Sequence, residues 1–182
     1  MKLIFGIMPD LITDLEQIKQ LAATHHDNFE VMRYRLQLDD EINDKELDAL
    51  VDEIAAPIID QVDCTQCANC CRSLDVYLTE SDAHRLAEGF HIPVDEIIIQ
   101  RMDHTAAAEV GEWGQFRERP CTFLSGKHCS VYAHRPESCR IYPAFTPDFR
   151  WTLKDTISGA AICPIIYNVL AQLLEKIDEI TA

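Results

Sequence analysis

Four of the chain's eight cysteines fall within eight positions, in "CTQCANCC", residues 64–71. Thiols this dense staple a chain as disulfides, hold a metal, or carry out redox chemistry. Cys64, Cys67 and Cys70 follow a C-x2-C-x2-C spacing. Two-residue gaps let a loop wrap around one centre with successive sulfurs turned inward, the way bacterial ferredoxins hold a cubane cluster. Zinc sites also use C-x2-C, completing a tetrahedron of four sulfur or nitrogen ligands. The spacing points to a metal and leaves its identity open. Cys71 complicates the set: on a helix positions 64, 67 and 71 share a face, whereas in a loop 64, 67 and 70 converge. Adjacent sulfurs ordinarily diverge. One of Cys70 and Cys71 is therefore expected to ligate with Cys64 and Cys67, while the other serves a second centre, does redox work or packs as a small hydrophobe.

The other four cysteines are spread along the chain. Cys121 and Cys129 lie on the two arms of "CTFLSGKHCSVY", which reads as a hairpin turning at Ser125-Gly126. Cys139 lies in "RPESCR", a short helix opened by Pro136. Cys163 precedes Pro164 at the start of the last helix, where unpaired N–H groups lower a thiol's pKa. All eight cysteines (Cys64, Cys67, Cys70, Cys71, Cys121, Cys129, Cys139, Cys163) are candidate metal ligands. Of the histidines, His128 beside Cys129 is the one considered, and a solvated loop position suits it better. Arg135 and Arg140 could hold an anion or pair with carboxylates such as Asp75; the structural pairing is favoured. The pair His25-His26 is expected near the end of the first helix, facing water.

The elements that must position these thiols are mostly helical. Leu11, Leu15, Ile18, Leu21 and Ala22 recur at helical spacing behind "TDLE", Thr13–Glu16, which reads as a capping box. "YRLQL", 34–38, alternates and suggests a short strand. A helix over about 44–62 presents Leu47, Leu50, Val51, Ile54, Ile58 and Ile59, with a kink expected at Pro57. After the cysteine run, "LDVYLT" reads as a strand and Thr79 or Ser81 caps a helix closed by Gly89. Pro93 opens another helix, residues 104–118 read as a loop, and "FRWTLKDT" as a strand. The last helix starts at Pro164 and buries Ile166, Val169, Leu170, Leu173, Leu174 and Ile177. The fold class expected is α+β, predominantly helical, with a short β-hairpin. The division expected is an acidic helical region over 1–61, then a cysteine-cluster domain over 62–182 that includes the C-terminal helix.

Composition narrows the partners. The 182 residues carry a net −15, with 47% hydrophobic and 26% charged, values of a globular chain. Residues 1–63 hold 15 acids against 5 bases, which argues against nucleic acid and leaves the acidic helices as a surface for a protein partner. Residues 113–154 reverse the sign, seven bases against three acids, and could offset thiolate charge. No apolar run approaches the roughly 20 residues of a membrane span, and "MKLIFGIMPD" lacks the features of a secretory signal. A cytoplasmic, reducing location is expected, where dense cysteines mean metal or catalysis rather than disulfides.

Taken together, "CTQCANCC", "CTFLSGKHC" and "YAHRPESCRIYP" resemble the CxxCxxCC cysteine-cluster family, the zinc- or iron-chelating domain proteins. Tyr132, Arg135, Pro136, Cys139, Arg140, Tyr142 and Pro143 match its later motif, as Cys64, Cys67, Cys70, Cys71, Cys121 and Cys129 match its cysteines. The resemblance covers roughly 62–170. Flagellin lysine methylases carry a similar cluster, so it implies an iron–sulfur centre tied to methyl transfer; yet the chain has no G-x-G-x-x-G or other S-adenosylmethionine signature. The expectation is a cysteine-ligated centre, iron–sulfur ahead of zinc, used for redox or methyl-transfer chemistry. The alternative is a structural zinc module for interactions. A metal-free thiol oxidoreductase is least favoured, because a helix rather than a thioredoxin-like strand precedes Cys64.

Overall fold

A computed structural model describes residues 10–39 and 41–180. The residues considered for a secretory signal fall, up to residue 9, outside it. The chain runs through helices α1 (Leu15–Leu38) and α2 (Asp44–Gln61), then one-turn helices α3 (Cys64–Cys67) and α4 (Asn69–Ser73). Strand β1 (Tyr77–Leu78) leads into α5 (Glu80–Phe90), α6 (Val94–Arg101) and α7 (His104–Glu109). Strands β2 (Gly114–Gln115), β3 (Leu124–Ser125) and β4 (His128–Cys129) follow, then a 3-10 turn over Tyr132–His134. Helices α8 (Glu137–Ile141), α9 (Phe149–Gly159) and α10 (Pro164–Ile180) complete the chain. With only two antiparallel strand pairs among the described residues, it is a predominantly helical α+β protein.

Contacts divide the chain into two units, residues 1–62 with 145–182, and residues 63–144. The C-terminal helix packs on α1, α2 and α9. Its uninterrupted stripe of Ile166, Val169, Leu170, Leu173 and Ile177 needs apolar helix faces, and the 1–62 segment supplies them through Ile18, Phe29, Met32, Leu47, Val51 and Ile58. Each such side chain contributes about 1.5–3 kcal/mol on burial.

Several local expectations change for identifiable reasons. "YRLQL" belongs to α1, because Phe29, Met32 and Leu36 bury one face at three- and four-residue spacing. "FRWTLKDT" belongs to α9, where Phe149, Leu153 and Ile157 recur every four residues. The cap of α1 is Asp14, accepting from Gln17 N at 2.8 Å, rather than Thr13. Pro57 lies inside α2, which continues to Gln61. His25 lies mid-helix in α1, partly buried with its Nδ1 3.1 Å from the Tyr167 hydroxyl, whereas His26 is exposed.

In the 63–144 unit Thr79 caps α5 through a full capping box with Asp82. His91, left-handed at φ 55°, ends that helix in place of Gly89. Gly89 matters for packing instead. A Cβ there would lie 2.7 Å from His134 Cγ, so the small residue lets α5 approach the 3-10 turn. The stretch read as a loop over 104–118 contains α7 and β2. β2 pairs with β1 in the register Tyr77↔Gln115 and Leu78↔Gly114. The hairpin is present, but it turns at Gly126-Lys127, one residue later than expected, with Gly126 at φ 64°. Leu78, Leu86, Ile97, Met102, Phe116, Phe123 and Val131 form the apolar cluster, and Cys121 and Cys129 pack against it. No helix of the described residues is long and apolar enough to cross a membrane.

Candidate metal centre

The cysteine run is neither a single helix nor an open loop. Asp63 caps α3 by accepting from Thr65 N and Oγ1 at 2.9 and 2.6 Å. One turn later Ala68 takes a left-handed φ of 53° and the chain restarts as α4. This break sets Cys64 and Cys67 on one turn and Cys70 and Cys71 on the next. The vicinal sulfurs do not diverge: they stand 4.0 Å apart.

Other segments are tied to this run through the backbone. Cys121 N donates to Cys71 O at 2.8 Å. Arg72 clamps the run to the hairpin turn, donating from Nη1 to Cys67 O at 3.0 Å and from Nη2 to Gly126 O at 2.7 Å. Sequence reasoning passed over Arg72; its position beside the vicinal pair was the available signal. Cys139 is held on α8, where Ser138 Oγ donates to Tyr77 O at 2.8 Å and Glu137 N donates to the buried Asp82 carboxylate at 3.0 Å.

Electrostatics places Cys71 at the centre of the group. The hydrogen bond from Cys70, helped by the Arg72 and Arg135 charges, lowers its thiol to about 6. Burial raises Cys64, Cys121 and Cys129, and the charge of Cys71 adds to the rise at each. Burial, then the charges of Cys121, Cys71 and Cys129, push Cys139 up to about 12. A cation relieves such crowding, because it favours every neighbouring thiolate at once.

Seven of the eight candidate cysteines thus lie in the 63–144 unit. Cys163 lies in the other, buried just before α10. None of the eight is in a disulfide. His128 is exposed on β4. Asp75 pairs with Arg119 rather than with Arg135 or Arg140, and Arg140 reaches Glu137 at 3.8 Å. Among the described residues no three His, Cys, Asp or Glu side chains are already gathered into a closed metal-holding group. The donor chemistry nevertheless fits zinc or iron: soft sulfurs, half-buried, with cationic side chains beside them.

The sequence model of the CxxCxxCC family, described as "Putative zinc- or iron-chelating domain", matches residues 63–164. The chain belongs to this family. No curated protein and no solved structure matches it. The match spans the whole 63–144 unit and extends through Cys163, so all eight cysteines of this CxxCxxCC protein fall inside it.

The two vicinal cysteines are not equivalent. Cys71 joins the hairpin through its carbonyl and biases four other thiols, whereas Cys70 acts on Cys71. Cys71→Ser is expected to remove most of the bound metal and Cys70→Ser distinctly less, read as metal-to-protein stoichiometry. Equal losses would mean that both sulfurs are ligands.

Proposed function

We propose that the 63–144 unit holds an iron–sulfur cluster in a cytoplasmic, reducing setting and uses it for redox or methyl-transfer chemistry. The observation that carries this reading is the C-x2-C-x2-C run of Cys64, Cys67 and Cys70, a spacing that ferredoxin-type loops use to wrap a cubane cluster. Seven cysteines belong to the same unit, more than the four that either a cluster or a tetrahedral zinc takes. Cys64, Cys67, Cys70, Cys71, Cys121, Cys129 and Cys139 are the residues that would supply ligands. When bound, such a cluster supplies one-electron chemistry tuned by hydrogen bonds to its sulfurs and by nearby charge. The chain's own part is to favour the Cys71 thiolate, through the Cys70 hydrogen bond and the Arg72 and Arg135 charges, and to pack Cys121 and Cys129 against an apolar cluster.

A second reading, a structural zinc site serving interactions, is favoured by one distance. Zn–S bonds of about 2.3 Å put tetrahedral sulfurs roughly 3.8 Å apart, close to the 4.0 Å between Cys70 and Cys71. Anaerobic purification separates the two. The iron–sulfur reading expects a brown protein with visible thiolate-to-iron absorption, iron and acid-labile sulfide. A colourless protein with stoichiometric zinc and no sulfide would reject it in favour of zinc.

A further inference from the structure

Helix α1 is apolar on two opposite sides. One side buries Ile18, Ala22, Phe29, Met32 and Leu36 in the core. At about 100° per residue, Val31, Tyr34 and Leu38 fall on the far side of the helix, where they are 56%, 57% and 82% exposed. Their i, i+3, i+7 spacing forms a stripe about 10 Å long. Trp151 of α9 is 60% exposed and donates its indole N–H to Asp44 at 3.3 Å, at the corner where α1 passes into α2 beyond Leu38. One exposed apolar side chain is ordinary, whereas an aligned set marks an interaction surface.

Charge decides what covers it. The unit formed by residues 1–62 and 145–182 holds 19 acids against 8 bases. The bases of the last two turns of α1 are already engaged. Arg33 pairs with Glu30 and lies over the Tyr34 ring, and Arg35 pairs with Asp178. Lys45 and Lys154, near the Trp151 end, are each flanked by acids, Asp44 with Glu46 and Asp155. Asp27, one turn before Val31, and Glu41, just past Leu38, are exposed. Neither joins an ion pair among the described residues. Such a rim repels nucleic acid and anionic lipid, and a second copy would bring the same acids against it.

We propose that the Val31, Tyr34 and Leu38 face of α1, extended by Trp151, docks an amphipathic helix of a partner protein whose apolar stripe is edged with lysine or arginine. Helices pack by seating the side chains of one stripe between those of the other. The partner's bases then meet Asp27 and Glu41 at the rim, where charge sets partner choice and association rate. The surface belongs to the helical unit and does not depend on a metal in residues 63–144.

A fluorescently labelled peptide of leucine and lysine tests this by anisotropy with the full-length chain. It is about 18 residues long, enough for a helix to form, with leucines at i, i+3, i+4 and i+7. One control peptide carries glutamate for lysine, and another has the same composition with the leucines scrambled. The chain variants are Tyr34→Gln with Leu38→Gln, which keeps charge and suits a helix, Asp27→Asn with Glu41→Gln, and Ile99→Gln, an exposed apolar position of the other unit. The lysine peptide is expected to bind the parent chain, and to bind the Tyr34 and Leu38 double variant roughly tenfold or more weakly. The Asp27 and Glu41 double variant should bind more weakly than the parent and respond less to salt. Ile99→Gln should match the parent, and both control peptides should bind far more weakly. Absence of binding, equal binding of either control peptide, or parent-like binding by a Tyr34 and Leu38 variant of unchanged helicity would each overturn the proposal. A parent chain that sediments as a dimer, with that variant monomeric, would assign the face to a second copy and overturn it too.

Discussion

Metal removal is expected to abolish hydrogen-exchange protection across residues 63–144 while α1, α2, α9 and α10 keep theirs. The unit that bears the thiols has the smaller apolar core, with Leu78, Leu86, Ile97 and Met102 its fully buried large side chains. Its strands are two residues long, and two of the nine residues in its apolar cluster are the alanines Ala83 and Ala87. The segments around Cys64–Cys71, Cys121–Cys129 and Cys139 come together where thiol charges oppose one another. A metal reverses the sign of that interaction, and its binding energy becomes folding energy, about 10–16 kcal/mol for structural zinc in small domains. The helical unit has its own fully buried side chains, among them Ile18, Phe29, Met32, Leu36, Leu47, Ile58, Phe149 and Leu153. Cys67→Ser should act in the same direction as chelation, more weakly. Unchanged protection of 63–144 in the metal-free protein would show that the fold does not depend on the centre.

The second large effect lies in the helical unit, at Arg150. This side chain is 5% exposed. Its Nε donates to Asp44 Oδ1 at 2.6 Å, and its other nitrogens donate to the carbonyls of Leu36, Asp39 and Ile42. One guanidinium on α9 therefore satisfies the backbone where α1 ends and α2 begins. Arg150→Met preserves much of the volume and removes every one of these donors. It should destabilise the protein by about 1–3 kcal/mol, the range for leaving buried backbone acceptors unsatisfied, read as a lower denaturation midpoint at unchanged slope. Arg150→Lys, which can reach only part of the set, should fall between. A midpoint within experimental error of the parent would refute the assignment.

The same contact gives a pH dependence. The Arg150 hydrogen bond holds the Asp44 carboxyl below its ordinary value of 3.8. Its stabilisation is therefore present above that value and fades as pH falls through the lowered one.

Where local period alone had to decide, short windows misled. "YRLQL" alternates over five residues, too few to separate a repeat of two from one of 3.6, and the burial of Phe29, Met32 and Leu36 places it in α1. "FRWTLKDT" contains strand-favouring residues, but Arg150 and Leu153 must both turn inward, one to the carbonyls and one to the core, and a helix face does that. Longer signals held. The helix opened by Pro164, the short helix after Pro136 and the hairpin between Cys121 and Cys129 are all present, each marked by proline or glycine chemistry that acts within a few residues.

The candidate site divides along the same line. The residue types and the C-x2-C-x2-C spacing determined by themselves that this chain presents soft sulfur ligands, because ligand chemistry belongs to the side chain and a two-residue gap is a local distance. Tertiary structure alone decided that Ala68 breaks the run into two turns, that Cys71 sits where four other thiols feel its charge, and that Cys163 belongs to the helical unit. It also decided that Asp75 goes to Arg119 and that the Nε of Arg135 is buried without an acceptor among the described residues. Spacing sets what lies within one turn; charge and unmet hydrogen bonds depend on what distant segments bring to the same place.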